Sequence, residues 1–297
     1  MALTYGCIVP HSPNLVPEVS DRARAAAGTR EAMGELGMNL GVRRPRTCVI
    51  ISPHSPFLAE AFGVWEAERL RGSMARFQAP EVQIELATDR ELAEAIVDVA
   101  SRMELPVGRM EEDWQLDRGI TVPALYLFND EMKVVPVATS MLGWDEHWLF
   151  GTAVAKAAEL TGAEVAIVAS CNLSHRVAPD SPHGYHQKGR EFDSRVRGAI
   201  ERGRLAELLD IPHDIVREAS ECGMIPMLVL GGAFDGRSVS GKILSYEHPF
   251  GIGYLVAEIS LAEGDPEPSR MRAGAEVGVS MSEGLSRDDA ERLLGSW

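Results

Sequence analysis

The feature that most constrains this chain is a set of apolar runs of strand length, each bounded by turn-forming residues and lacking the alternation of a half-exposed strand. They recur at residues 4–10, 47–52, 133–138, 164–170, 238–246 and 251–258. A strand that is apolar on both faces must be covered on both faces, as in a largely parallel sheet between helical layers. Helical patterns fall between several runs, at 89–103, 146–160 and 187–202, with apolar residues at three- and four-residue spacing, as at Phe192, Val196 and Ile200. The alternation predicts an α/β fold, a three-layer α/β/α sandwich around a mixed, mainly parallel sheet. The last two runs are joined too tightly for a helical crossover and are expected to pair antiparallel.

At 297 residues, 45% of them hydrophobic, the chain can bury a large single core, and residues 1–262 read as one domain. From 263 the composition turns to Gly, Pro, Ser and charge. Asp265-Pro266-Glu267-Pro268 reads as a linker, and Ser286 with Asp289 as the start of a short helix reaching Leu294, so 263–297 is expected to be a polar tail. The formal charge of -15, from 44 acidic against 29 basic residues, comes without a Lys/Arg-rich run, which argues against nucleic acid as a partner. With no bilayer-length apolar stretch and no basic-then-apolar leader pattern, no membrane association and a cytoplasmic location are expected. Cys7, Cys48, Cys171 and Cys222 form no CxxC pair; Cys7 and Cys48 read as packing thiols.

Chemistry concentrates where two of the apolar runs end. Pro10-His11-Ser12-Pro13 and Pro53-His54-Ser55-Pro56 repeat one tetrapeptide, each directly after a strand. The prolines make a stiff, extended turn, and in open α/β sheets ligands bind outside the carboxyl ends of the strands. Two imidazoles presented alike point to one divalent metal ion. His175, in Asn172-Leu173-Ser174-His175, follows a third strand and reads as another ligand or as a general acid/base. Glu221 or Cys222, in Glu218-Ala219-Ser220-Glu221-Cys222-Gly223, is a candidate to complete the site. Two imidazoles with a carboxylate suit Fe(II), whereas a thiolate suits zinc or copper. His183, Tyr185 and His186 crowd a Gly/Pro-rich loop, His248 lies in the turn between the last strands, and His147 and His213 read as solvated residues.

Taken in order, Pro10-His11-Ser12-Pro13, Ser52-Pro53-His54-Ser55, Asp117-Arg118-Gly119 before Val122-Pro123, Asn172-Leu173-Ser174-His175, Gly189-Arg190-Glu191-Phe192-Asp193 and Glu221-Cys222-Gly223 resemble the class III extradiol ring-cleavage dioxygenases of the LigB type. The resemblance covers about residues 4–258. It implies Fe(II) held by His11, His54 and Glu221, with His175 transferring protons, and ring opening of a catecholic or aminophenolic substrate by O₂. It also implies a homo-oligomer or pairing with a related subunit. Arg118 stands where the family often has a histidine and is expected to meet a substrate carboxylate, with His183, Tyr185 and His248 as further substrate-lining candidates. The related Memo-like proteins carry a cysteine in the Cys-Gly context; by that likeness His11, His54, His175 and Cys222 would form a different metal site, in a redox or signalling protein without ring-cleavage activity. A zinc hydrolase using the same pocket is a third expectation.

Overall fold

The computed structural model describes residues 2–55, 59–110, 115–129, 131–266 and 268–270. Its strands are β1 (Leu3–Val9), β2 (Thr47–Ser52), β3 (Phe62–Trp65), β4 (Arg69–Met74), β5 (Ala79–Thr88), β6 (Val107–Met110), β7 (Lys133–Ala138), β8 (Val165–Ser170), β9 (Val239–Glu247) and β10 (Tyr254–Leu261). The helices are α1 (Ala27–Arg43), α2 (Arg90–Arg102), α3 (Arg118–Leu127), α4 (Trp144–Thr161), α5 (Gln187–Glu201), α6 (His213–Ala219) and α7 (Met224–Ala233). The strands form one sheet in the order β4-β5-β7-β2-β8-β1-β10-β9, and β3 joins β7 to β6 off this path. The centre, β7-β2-β8-β1, is parallel, and β10 and β9 add antiparallel to β1 as their short connection requires.

Both faces of the central strands are buried, which accounts for their unbroken apolar sequence. Along β2, Val49 and Ile51 join the core beneath α2, α4 and α7, while Cys48 and Ile50 join the core beneath α1 and α3. The period-two geometry of a strand divides a single apolar run between two cores. Cys7, Cys48 and Cys171 are buried, as packing thiols are. Among the described residues no helix is long and apolar enough to cross a membrane. Near the tail, Arg270 donates its main-chain N–H to Asp235 at 3.0 Å. The expected helix at 286–294, Pro56 of the second tetrapeptide and the acidic residues 111–113 lie outside the described residues.

Candidate metal centre

β8 lies between β2 and β1, and all three run parallel, so their carboxyl ends open on one edge of the sheet. His11 follows β1, His54 follows β2, and His175 lies just beyond β8. The repeated turns meet because the strands that deliver them flank the same third strand. The fourth contribution comes from the start of α7. Gly223 lets that helix approach the β8 loop: a Cβ there would stand 2.6 Å from Cys171 Cβ and 2.8 Å from the Asn172 carbonyl oxygen. Cys222 is thereby brought over the histidines.

His11 Nε2 and His54 Nε2 are 2.9 Å apart, with the rings edge to face. Cys222 Sγ is 3.4 Å from His11 Nε2 and 3.8 Å from His175 Nε2. His11, His54 and Cys222 each offer a ligand atom within 4.8 Å of the others. Glu221 is engaged elsewhere. Its Oε2 accepts the main-chain N–H groups of Gly223 (2.5 Å) and Met224 (2.6 Å), capping α7, and desolvation holds its carboxyl up at about 7 against the pull of those amides. The resemblance implied Glu221 as the third ligand; among the described residues, the group that the fold assembles has Cys222 in that place.

The tautomer of His11 follows from its neighbours. Ser170 Oγ donates its hydrogen to the Gly119 carbonyl, so toward His11 Nδ1, 3.0 Å away, it can only accept. Nδ1 therefore carries the ring proton, and Nε2 turns a lone pair toward His54 and Cys222. Arg118 Nη2, a donor only, lies 3.1 Å from His54 Nε2, so this nitrogen also presents a lone pair. Two lone pairs facing each other at 2.9 Å repel, and a cation bound by both removes the conflict. Burial, then His54 and Arg118, hold His11 well below the ordinary imidazole range; burial, then Arg118 and His175, do the same to His54. Both rings are neutral near pH 7, the form that ligates metal. Burial pushes the Cys222 thiol up to about 12, so it becomes a thiolate ligand only with help from a bound cation.

The support around these ligands radiates from Asp117-Arg118-Gly119 at the start of α3. Asp117 Oδ1 accepts from Ser52 Oγ (2.7 Å) and from the Gly119 amide, which it caps, while Oδ2 accepts from Ser55 Oγ (2.6 Å). Ser52 Oγ in turn accepts the His54 main-chain N–H at 3.2 Å. His11 donates its main-chain N–H to Asn172 Oδ1 at 3.2 Å. One tripeptide thus braces the His54 turn through two serines and orients His11 through Ser170. The N-cap aspartate of an α3 start is a sequence signal for this role; Ser170, the last residue of an apolar strand, gives none.

His175 is clamped by its own loop. Its N–H donates to the Ala219 carbonyl (3.0 Å), and the preceding Ser174 N–H donates to Asp193 Oδ1 (2.8 Å). Asp193 also accepts from Tyr246 Oη at 2.6 Å, and burial raises its carboxyl to about 7. Burial, then His183 and Arg118, push His175 down to about 3. His183 stacks near His175 with ring centroids 5.9 Å apart. Tyr185 lies under the Arg190 guanidinium at 5.4 Å, and His248 packs against Tyr246 at 6.1 Å. His147 is not solvated as its helical setting implied: it is buried, with Nδ1 2.8 Å from the Gly143 carbonyl oxygen. His213 opens α6 and stacks on Trp144 at 4.0 Å.

Residues 5–257 match the family described as the catalytic LigB subunit of aromatic ring-opening dioxygenase. A Clostridium acetobutylicum protein, CA_C1420, is 31% identical in an alignment 277 residues long that covers 89% of this chain and 59% of that protein. A MEMO1 family protein from Methanococcoides burtonii is 32% identical over 147 residues (49% of this chain, 51% of that one), and one from Methanothermobacter thermautotrophicus is 28% identical over 131 residues (44% and 43%). The chain thus spans from less than half to about three-fifths of the length of these relatives. An uncharacterized Escherichia coli K12 protein of known structure shares the fold, with a TM-score of 0.61 and 20% identity over 86% of this chain and 99% of that one.

Proposed function

This chain belongs to the LigB family of aromatic ring-opening dioxygenases, and from that premise we propose that it is a metal-binding redox protein of the MEMO1 type, its ion held by His11, His54 and Cys222. The observation that carries the reading is the division of labour at the start of α7: Cys222 Sγ lies 3.4 Å from His11 Nε2, while Glu221 is committed to the Gly223 and Met224 amides. Two imidazoles and a thiolate suit copper, with zinc as the competing occupant, ahead of Fe(II). Bound copper would supply one-electron chemistry. The chain's own residues prepare the site. Ser170 fixes His11 with Nε2 toward the ion, and Asp117 braces the turn that carries His54. His175 Nε2 lies 3.8 Å from Cys222 Sγ, within hydrogen-bonding reach of the sulfur. The names of the two archaeal relatives support the same reading.

A second reading has support in the extent of the family match, residues 5–257. It is Fe(II)-dependent extradiol cleavage of a catecholic or aminophenolic ring with O₂, using His11, His54 and Glu221 as ligands and His175 as acid/base. It requires Glu221 to bring a carboxylate oxygen into a ligand group that, among the described residues, contains His11, His54 and Cys222. Anaerobic purification, metal analysis and O₂ uptake after reconstitution separate the two. The proposal expects one copper or zinc per chain and no Fe(II)-dependent O₂ consumption with catechol, protocatechuate or 2-aminophenol. Fe(II)-dependent uptake with a yellow ring-opened product would replace it with the second reading.

A further inference from the structure

Asp193 stands on the buried face of α5, in line with Gly189, Val196 and Ile200, where the helical spacing calls for an apolar side chain. A carboxylate in such a place is costly unless donors meet it. Two do: the Ser174 main-chain N–H reaches Oδ1 at 2.8 Å, and the Tyr246 hydroxyl reaches Oδ2 at 2.6 Å. Tyr246 is itself held, with the Arg197 guanidinium over its ring at 4.2 Å. Gly253 lies close against the carboxylate: a Cβ there would stand 2.2 Å from Asp193 Oδ2 and 3.0 Å from Leu173 Cβ. Its bare backbone lets Asp193 and the loop after β8 close on each other. It also bonds that loop in both directions, donating to the Ser174 carbonyl (2.9 Å) and accepting the Leu173 N–H (2.8 Å).

What Asp193 secures is the stretch Asn172-Leu173-Ser174-His175, and both ends of that stretch meet the ligand group. Asn172 Oδ1 accepts the His11 main-chain N–H at 3.2 Å, and the Asn172 carbonyl accepts the Cys222 main-chain N–H at 3.4 Å. At the other end His175 Nε2 lies 3.8 Å from Cys222 Sγ. His11 and Cys222 arrive from β1 and from the start of α7, far apart in the chain, and Asn172 is bonded to both. A shift of the Ser174 amide is therefore passed to two ligands at once. The Ser174 hydroxyl and the His175 N–H tie the same stretch to the Ala219 carbonyl at the end of α6. Asp193 anchors it toward α5.

We propose that Asp193 is a positioning residue for the metal centre: by holding the Ser174 amide it fixes the 172–175 stretch, and through Asn172 it sets His11 and Cys222 at the spacing that one ion requires. The inference rests on the His11, His54 and Cys222 centre proposed above. Asp193 lies outside that ligand group, so its effect on an ion comes through the loop. Asparagine can do the same work, because its oxygen accepts the Ser174 N–H while its amide donates to the Tyr246 hydroxyl oxygen. Alanine cannot. An acceptor, and not a charge, is what the position demands.

The test compares the full-length wild type, Asp193→Ala and Asp193→Asn. Tm is measured on the metal-free chains, Co(II) affinity by competition with a chelator, and ligand geometry from the visible spectrum of the Co(II) form. Asp193→Ala should bind Co(II) about 10–100-fold more weakly, the scale of a lost support around a ligand, and with a shifted spectrum. Asp193→Asn should restore the wild-type spectrum and bring the affinity to within about threefold of wild type. A residue that only supports the fold would lower Tm in Asp193→Ala and leave affinity and spectrum as in wild type, and that result overturns the proposal. An Asp193→Asn chain as impaired as Asp193→Ala also overturns it. Should Asp193→Ala not fold, Tyr246→Phe removes one of the two bonds that orient the carboxylate. It is expected to shift the spectrum with a smaller loss of affinity, and an unchanged spectrum there counts against Asp193. If the wild type takes up no Co(II), the metal-centre reading itself fails and the positioning role falls with it; uptake of Co(II) with indifference to Asp193 overturns the positioning role alone.

Discussion

Replacing Asp117 with alanine separates two jobs that one carboxylate performs. As the N-cap of α3 it accepts the Gly119 amide, and losing such a cap costs about 1 kcal/mol. Its bonds from Ser52 and Ser55 are hydrogen bonds to a charged acceptor, worth about 1.5–3 kcal/mol each before desolvation is counted. Desolvation matters here, because it raises the Asp117 carboxyl above its ordinary value despite those partners and Arg118. Removing the group returns much of that penalty, so the net loss of folding stability should be only about 1–3 kcal/mol. The effect on metal binding should be larger relative to its usual scale. Without Asp117, Ser52 no longer has a fixed acceptor, and the His54 N–H that it holds loosens with it. Loss of such a support around a ligand costs about 10–100-fold in metal affinity. Urea unfolding of metal-free protein gives the first quantity, and zinc competition with a chromophoric chelator the second. If Asp117→Ala lost stability as expected but kept zinc affinity within about twofold of wild type, the bracing argument would be refuted and Asp117 would be a helix cap alone.

Three further outcomes follow from separate parts of the molecule. His147 is buried and burial lowers it from 6.5 to about 4, so between these values the unfolded chain binds a proton that the native ring refuses. Stability should therefore fall as pH drops from about 6.5 toward 4, by about 3 kcal/mol from this residue, and urea titrations of His147→Gln should show a correspondingly flatter acid limb. His175→Phe should retain zinc within about tenfold of wild type, since His175 lies outside the three-atom ligand group; loss of the ion on dialysis would make it a ligand. Gly232→Ala places a Cβ 1.9 Å from the Trp148 carbonyl oxygen, forcing α7 off α4. It should cost about 3 kcal/mol or more and lower Tm by roughly 6–12 °C, and an unchanged Tm would contradict the packing described.

Much of the fold was legible because burial on both faces leaves a plain mark. The runs that became β1, β2, β7, β8 and β10 carry few polar residues inside the sheet, and α2, α4 and α5 show helical spacing; β9, read as another such run, is instead a half-exposed edge strand carrying Ser240, Lys242, Ser245 and Glu247. What escaped notice has local physical reasons. Helix α1 contains Gly28, Gly34, Gly37 and Gly41, a composition of low helix propensity, and it forms because tertiary packing of Met33, Leu36 and Leu40 overrides that preference. Strands β3 and β6 are four residues each, too short to show a period. Helix α3 contains Pro123 as its sixth residue, which argues against a helix in the sequence; the Gly119 carbonyl four residues earlier, left without that amide, accepts Ser170 Oγ instead.

The candidate site was legible in a similarly uneven way. The repeated Pro-His-Ser-Pro turns marked His11 and His54, and their convergence follows from β8 entering between β1 and β2, which no local signal reveals. Glu221 and Cys222 are adjacent in sequence, and each is a plausible ligand by residue type. Only the geometry of the α7 start separates them, sending the carboxylate to the helix amides and the sulfur toward His11. The roles of Ser170 and Ser52 depend on contacts with residues far along the chain, so they became visible only in the fold.

The central claim, that sulfur and not carboxylate completes the centre, is tested most directly by the near-ultraviolet thiolate-to-metal charge-transfer band of Co(II)-loaded protein in the wild type, Cys222→Ser and Glu221→Gln. The account predicts the band in wild type and Glu221→Gln, and its loss in Cys222→Ser together with a fall in Co(II) affinity of about 100-fold or more. Absence of the band in wild type, with Co(II) retained by Cys222→Ser and lost by Glu221→Gln, would contradict it and return the chain to the two-histidine, one-carboxylate iron site of a ring-cleaving enzyme.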